Sequence, residues 1–310
     1  MTISKSSKIY IAGHNGMVGS ACIREFKRKG YHNLIFLASN ELDLRNQKKV
    51  EGFISSEKPD IIIDAAAIVG GIWANNEYPY KFLIDNMLIQ NNLIKSAVDN
   101  QVKKFIFLGS SCIYPKLAPQ PLKEEYLLSS YLEPSNQWYA IAKISGVKLI
   151  QAIRKEFGYD YVSLMPTNLY GPNDNYDLKK SHVLPALIRK LHEGKVNQQD
   201  SVSLWGSGTP LREFLHVDDL ASAVLFSSEN KLNESMYNVG SEEELTIQEL
   251  VLLIKKEVGF KGNIIWDGSK PDGTPRKLLD SSKFHNLGWK SKINLNCGIP
   301  NTYNDFLNKY

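Results

Sequence analysis

Lys8-Ile9-Tyr10-Ile11-Ala12-Gly13-His14-Asn15-Gly16-Met17-Val18-Gly19 is the stretch that decides the fold. An apolar run of strand length, residues 8–12, leads straight into three glycines spaced G-x-x-G-x-x-G, and a helical pattern follows over 20–29. Strand, glycine turn and helix together make a phosphate cradle. The glycines allow a tight turn and close backbone approach, and the helix N-terminus offers free N–H groups at the positive end of its dipole. The spacing is less common than G-x-G-x-x-G, and such turns also occur with no ligand. Its position at the head of an alternating pattern gives this one its weight.

Working outward, 34–37 reads as a strand and 47–56 as a helix. Ile61-Ile62-Ile63 is apolar on both faces, as a strand inside a parallel sheet must be. A helix over 82–98, a strand over 105–108, a long helix over 137–157 and a strand over 161–165 continue the rhythm. The expected fold class is α/β, a doubly wound parallel (Rossmann) sheet. After Pro166 the rhythm loosens. Loop-rich stretches at 168–181, 206–212 and 261–276 alternate with helices at 183–192, 217–227 and 246–258. The expected division is a dinucleotide-binding domain over 1–168 and a smaller, loop-rich, mainly substrate-binding domain over 169–310, with the return of some of its segments to the sheet left open.

Bulk properties narrow the classes. The chain has 310 residues, 43% hydrophobic and 23% charged, enough for a substantial core. A net charge of +4 without a Lys/Arg block does not suggest nucleic acid and suits an anionic small ligand. Three cysteines without C-x-x-C spacing argue against disulfides and a zinc site, and no metal is expected. Cys22 and Cys297 read as small buried hydrophobes. The start lacks the apolar segment of a signal peptide, and no run reaches the roughly 20 residues of a membrane span. A soluble cytoplasmic protein is expected.

Tyr139 and Lys143 are four apart, on one face of the long helix. An ammonium beside a phenol lowers the phenol's pKa and makes it a usable proton donor and acceptor. Alone, that spacing is more often an ordinary amphipathic helix. Upstream, the strand over 105–108 ends in Gly109-Ser110-Ser111-Cys112-Ile113-Tyr114-Pro115. Ligands of doubly wound sheets bind at such strand ends, where a serine can hold a carbonyl oxygen beside the tyrosine.

With Gly13-x-x-Gly16-x-x-Gly19, Ser110 and Tyr139-x-x-x-Lys143 in place, the chain resembles the extended short-chain dehydrogenase/reductase family of nucleotide-sugar modifiers. Val69-Gly70-Gly71-Ile72-Trp73-Ala74-Asn75-Asn76, Met165-Pro166-Thr167-Asn168-Leu169-Tyr170-Gly171-Pro172, Ser181-His182-Val183-Leu184-Pro185-Ala186 and Trp205-Gly206-Ser207-Gly208-Thr209-Pro210-Leu211-Arg212-Glu213-Phe214 resemble its GDP-L-fucose synthase branch. The resemblance covers nearly the whole chain.

The resemblance implies 3,5-epimerisation and NAD(P)H-dependent 4-keto reduction of GDP-4-keto-6-deoxy-D-mannose. It assigns Cys112 as base, His182 as acid, Tyr139 as the proton donor to C4, Lys143 as its pKa-lowering partner and Ser110 as the group that positions the ketone. For the cofactor it implies Gly13, His14, Asn15, Gly16, Met17, Val18 and Gly19, then Leu108, Gly109, Ser110 and Ser111, with Lys143, Pro166, Thr167, Asn168, Leu169 and His182. For the GDP-sugar it implies Lys190, Trp205, Arg212 and Asp272, with Arg276 nearby. His14 reads as shaping the turn, and His216 as a helix cap. A homodimer through the helices over 82–98 and 137–157 is the family expectation.

One departure bears on the cofactor. Family members commonly carry Gly-His-Arg-Gly where this chain has Gly13-His14-Asn15-Gly16, and 38–44 holds no arginine before Arg45. NADP(H) is expected first, with NAD(H) accepted because the usual 2′-phosphate arginines are absent; Lys48 or Arg45 could substitute. Two other functions stay open: an epimerase/reductase of a related GDP-4-keto dideoxyhexose or heptose, and a non-catalytic nucleotide-sensing Rossmann protein.

Overall fold

The structure is a computed structural model that describes residues 3–178, 180–270 and 272–310. Its first half alternates β1 (Ile9–Ala12), α1 (Met17–Arg28), β2 (Leu34–Ile35), α2 (Gln47–Glu57), β3 (Ile61–Asp64), α3 (Ile72–Glu77), α4 (Pro79–Asp99), β4 (Lys104–Leu108), α5 (Gln137–Phe157) and β5 (Asp160–Pro166). The second half runs β6 (Asn168–Tyr170), α6 (Val183–Val196), β7 (Ser201–Trp205), β8 (Leu211–His216), α7 (Val217–Glu229), β9 (Met236–Val239), β10 (Glu244–Thr246), α8 (Ile247–Val258), β11 (Asn263–Asp267), β12 (Arg276–Lys277), α9 (Ser282–His285) and α10 (Leu295–Lys309).

Six parallel strands form the central sheet in the order β2-β1-β3-β4-β5-β9. Side chains alternate across it with period two, and both faces are covered. Ile9, Ile11, Ile61, Ile63, Ile106 and Leu108 pack with Phe26 of α1 and Leu220 and Val224 of α7. Tyr10, Ile62, Phe105 and Phe107 pack on the other side with Val50 of α2, Leu93 of α4 and Val147 and Ile150 of α5. That double covering is why the strands read as unbroken apolar runs. The chain steps from β1 out to β2 and returns to β3 on the other side of β1, the topological switch where ligands of such sheets bind.

A third core joins Leu187 and Leu191 of α6, Phe214 of β8, Ile254 of α8 and Phe306 of α10. It sits against a small sheet in which β8 pairs with β6, β10 and β12, while β7 and β11 pair separately.

Several expectations need adjusting. Helix α1 begins at Met17, so Gly19 lies inside its first turn. The strand at 34–37 is only Leu34–Ile35. The stretches read as loops at 168–181, 206–212 and 261–276 contain β6, the start of β8 and β11, short strands whose partners lie far away in sequence. Cys22 is buried as expected, but Cys297 is exposed, in the first turn of α10. His216 caps α7, its Nδ1 accepting from the Asp218 N–H at 3.2 Å.

Candidate active site

The glycine turn is built for close approach. Gly13 has φ +77°, and a Cβ there would stand 2.6 Å from the Ala65 carbonyl oxygen. A Cβ on Gly19 would collide with the Gly13 carbonyl, so the helix packs directly on the turn. Gly16 N–H donates to the Gly13 carbonyl at 3.0 Å and caps α1 with no side chain occupying the helix end and no acidic residue in its first turn. That leaves N–H groups and a positive dipole end for an anion. His14 packs against Phe36 with the rings tilted and their centroids 4.9 Å apart, which shapes the turn. Asn15 presents its carbonyl to the Asn173 side-chain amide at 2.8 Å. Met17 and Val18 face inward against the sheet.

At the end of β4, Ser110 Oγ accepts from the Cys112 N–H at 3.2 Å and fixes the turn that carries both side chains. Lys143 comes from α5, is almost fully buried, and donates to the Leu108 carbonyl at 2.8 Å. Its Nζ lies 4.7 Å from the Phe107 ring centre and 5.9 Å from that of Tyr139. Burial pushes the Tyr139 phenol above its ordinary value, with negative charge at Cys112 and Asp64 adding to the rise. The expected lowering by Lys143 does not prevail in this structure, because burial of the phenol outweighs it; burial also pushes Lys143 down, with Asp64 opposing that fall. A phenol held neutral at working pH is suited to donate a proton.

Lys277 joins this group from a distance of 165 residues. Strand β12 pairs with β8, setting Lys277 opposite Arg212, and the ammonium donates to Cys112 Sγ at 3.5 Å. His182, the residue before α6, keeps an exposed face. Desolvation by its packed surroundings and the Lys277 charge together push its imidazole below the ordinary value. The Gly71 N–H donates to the Lys180 carbonyl at 2.9 Å and ties the His182 segment to the start of α3. Cys112 and Lys277 open onto a cleft of about 320 Å³, shared with Lys116, Glu133, Asn136 and Arg276. A thiol and an imidazole near one ammonium can act as paired base and acid.

Beyond the cleft, Trp205 is exposed, with its ring 5.6 Å from Lys190 Nζ. Burial lowers the Lys190 pKa, and Lys190 Nζ reaches the Ser203 carbonyl at 3.4 Å. Arg212 donates to the Leu211 carbonyl at 2.8 Å and to the Asp272 carbonyl at 3.5 Å. The Asp272 carboxylate instead accepts from the Ser207 N–H at 2.7 Å and the Ser207 hydroxyl at 2.9 Å. Arg276 is held bidentately by Glu244 at 2.8 and 2.6 Å. Thr167 and Asn168, which follow β5 and its terminal Pro166, both donate to the Glu213 carbonyl, at 3.3 and 2.8 Å, and Leu169 packs on the sheet core. Gly109 and Ser111 flank Ser110 on the turn after β4, Ser111 buried. Sequence reading missed Lys277 and the buried Asp64. Only long-range strand pairing brings the first into place, and the second hides at the end of an isoleucine run.

A glycine cradle at a helix start, a serine at a central strand end and a Tyr-x-x-x-Lys helix define a nicotinamide-dependent oxidoreductase of the extended short-chain dehydrogenase/reductase type. The chain belongs to the NAD dependent epimerase/dehydratase family, whose profile matches residues 9–240. Among its relatives, GDP-L-fucose synthase 1 of Arabidopsis thaliana is 55% identical, covering 98% of this chain and 94% of that protein. A GDP-6-OMe-4-keto-L-xylo-heptose reductase from Campylobacter jejuni superposes with a TM-score of 0.93 at 35% identity, covering 100% of both chains. A GDP-L-fucose synthetase from Naegleria fowleri bound to NADP superposes with a TM-score of 0.92 at 30% identity, covering 100% of this chain and 95% of that one. The chain is an enzyme with an oxidoreductase and epimerase lineage, and it uses a nicotinamide cofactor.

Proposed function

We propose that this chain converts GDP-4-keto-6-deoxy-D-mannose to GDP-L-fucose by 3,5-epimerisation followed by 4-keto reduction. The observation that carries this reading is the gathering of a thiol, an imidazole and an ammonium beside the Tyr139–Lys143 pair. A reductase needs that pair and a group such as Ser110 to hold the ketone, but not the thiol and imidazole. Inverting the carbons flanking a ketone needs a base and an acid as well.

Cys112 removes the acidified protons at C3 and C5, with the Lys277 ammonium beside its sulfur. His182 returns protons from the opposite side. Ser110 holds the ketone oxygen through both inversions. The nicotinamide, when bound, supplies the hydride to C4. Tyr139 delivers the proton to the resulting C4 oxygen, and Lys143 holds the nicotinamide ribose. The glycine cradle from Gly13 to Gly19 takes the cofactor diphosphate, and Lys190, Trp205, Arg212 and Asp272 take the GDP moiety. NADP(H) is the first cofactor of the reading, with NAD(H) accepted. A cytoplasmic homodimer completes it.

A related GDP-4-keto sugar as substrate is the second reading, supported by the full-length likeness to a heptose reductase. Both are tested by NMR of the product formed from GDP-4-keto-6-deoxy-mannose and NADPH. GDP-L-fucose, inverted at C3 and C5, is the expected product. A C4-reduced sugar with C3 and C5 unchanged would remove the epimerase half of the proposal. Cys112→Ser is expected to slow epimerisation more than reduction.

A further inference from the structure

Asp64 ends β3 and is completely buried. It faces Ala12 on β1 and Phe107 on β4 in the strand register. Its Oδ1 accepts from the Ala66 N–H at 3.2 Å. Its Oδ2 has no hydrogen-bond partner among the described residues. A buried carboxylate with one backbone bond is expensive, several kcal/mol for an unpaired ion. The three residues before it, Ile61, Ile62 and Ile63, are apolar and buried.

Charge gives the position a purpose. Among the described residues, the titratable groups that feel the Asp64 charge are Lys143 and Tyr139 from α5 and Tyr10 from β1. Of these only Lys143 is cationic. Its Nζ sits against the Phe107 ring, and Phe107 is Asp64's neighbour in the next strand. Both side chains are removed from water, so their attraction is weakly screened. Burial pushes the Asp64 carboxyl up to about 6, with Lys143 opposing the rise. Asp64 in turn opposes the loss of the lysine's proton.

We propose that Asp64 is a positioning residue of the reduction, the fixed negative charge that keeps the buried Lys143 charged beside Tyr139. The inference rests on the reading of Tyr139 and Lys143 given above. Its sign is determinate. The Asp64 charge favours the protonated form of both Lys143 and Tyr139. Removing it lets both protons leave at lower pH.

The test is the pH dependence of kcat for 4-keto reduction in Asp64→Asn and Asp64→Leu, measured with NADPH beside the unaltered enzyme. The alkaline limb is expected to move to lower pH by about one unit in both variants, the size a neighbouring charge produces. The position of the limb does not depend on how much protein folds. The leucine variant makes the same comparison without leaving a polar group to satisfy. A limb that stays in place, whatever the rate, overturns the proposal and leaves Asp64 a structural residue. Tyr139→Phe separates this from a failure of the underlying reading. If that variant reduces the ketone at full rate, the assignment of Tyr139 falls and the inference falls with it.

Discussion

Among single residues, Lys277 is the one that changes the chemistry most. Its ammonium donates to Cys112 Sγ at 3.5 Å, and its charge adds to the burial that holds the His182 imidazole below its ordinary value. In the proposed epimerisation its ammonium is the hydrogen-bond donor beside the sulfur that removes the protons. Lys277→Met is expected to slow deuterium uptake from D2O into the substrate at C3 and C5 by about tenfold, as the loss of one charge-assisted hydrogen bond should. The His182 pKa, read by NMR titration, should rise in the same variant because a neighbouring positive charge is gone. A fall in His182 pKa would contradict the placement. Tyr139 and Lys143 stood out in the sequence by their helical spacing, while Cys112 and His182 entered as candidates only through the family resemblance. Lys277 and Asp64 were not legible in it. The first reaches the thiol across 165 positions through the β12–β8 pairing, and the second is a single polar residue closing an apolar strand.

At the scale of elements, the turn between β1 and α1 and the loop after β2 govern the cofactor. The strand–glycine–helix signal was readable because it is contiguous, and the parallel strands were readable because double burial makes them wholly apolar. The short strands of the second half escaped. β6 and β12 have three and two residues, and their partners come from elsewhere in the chain. The loop after β2 bears on the 2′-phosphate. Arg45 is gripped by Asp43 at 3.0 and 2.9 Å and reaches Asp85 at 3.3 Å, and Glu41 folds back onto the Ala38 N–H at 2.7 Å. Using Arg45 for a phosphate would mean breaking those pairs. Asn15 supplies no charge. We therefore expect NADH to support reduction with kcat/KM within about tenfold of NADPH, and Asn15→Arg to raise the NADPH preference by about tenfold, as one added charge-assisted contact should. Steady-state kinetics with both cofactors decides it. A strong NADPH preference in the unaltered enzyme would mean that Arg45 or Lys48 is recruited after all.

For the whole molecule, the two halves of the chain interlock. Strand β9 and helix α7, from beyond residue 168, complete the nucleotide-binding sheet and cover one of its faces. The other face is covered by α2, α4 and α5, and the outer surface of this layer is not wholly polar. Leu88 on α4 and Trp138 and Ile141 on α5 are each more than a third exposed. Helices α4 and α5 have 21 residues each, so each is about 30 Å long. Paired with the same two helices of a second copy about a twofold axis, they would form a self-complementary four-helix face, long enough to bury an interface of roughly 1,600 Å². The proposed homodimer uses this face. Light scattering after gel filtration should then give twice the 35.0 kDa chain mass, and Ile141→Glu should bring the mass down to one chain by placing a carboxylate where apolar surface meets its copy. A dimer that survives Ile141→Glu, Trp138→Glu and Leu88→Glu would place the contact on another surface. A monomer in the unaltered protein would remove the dimer altogether.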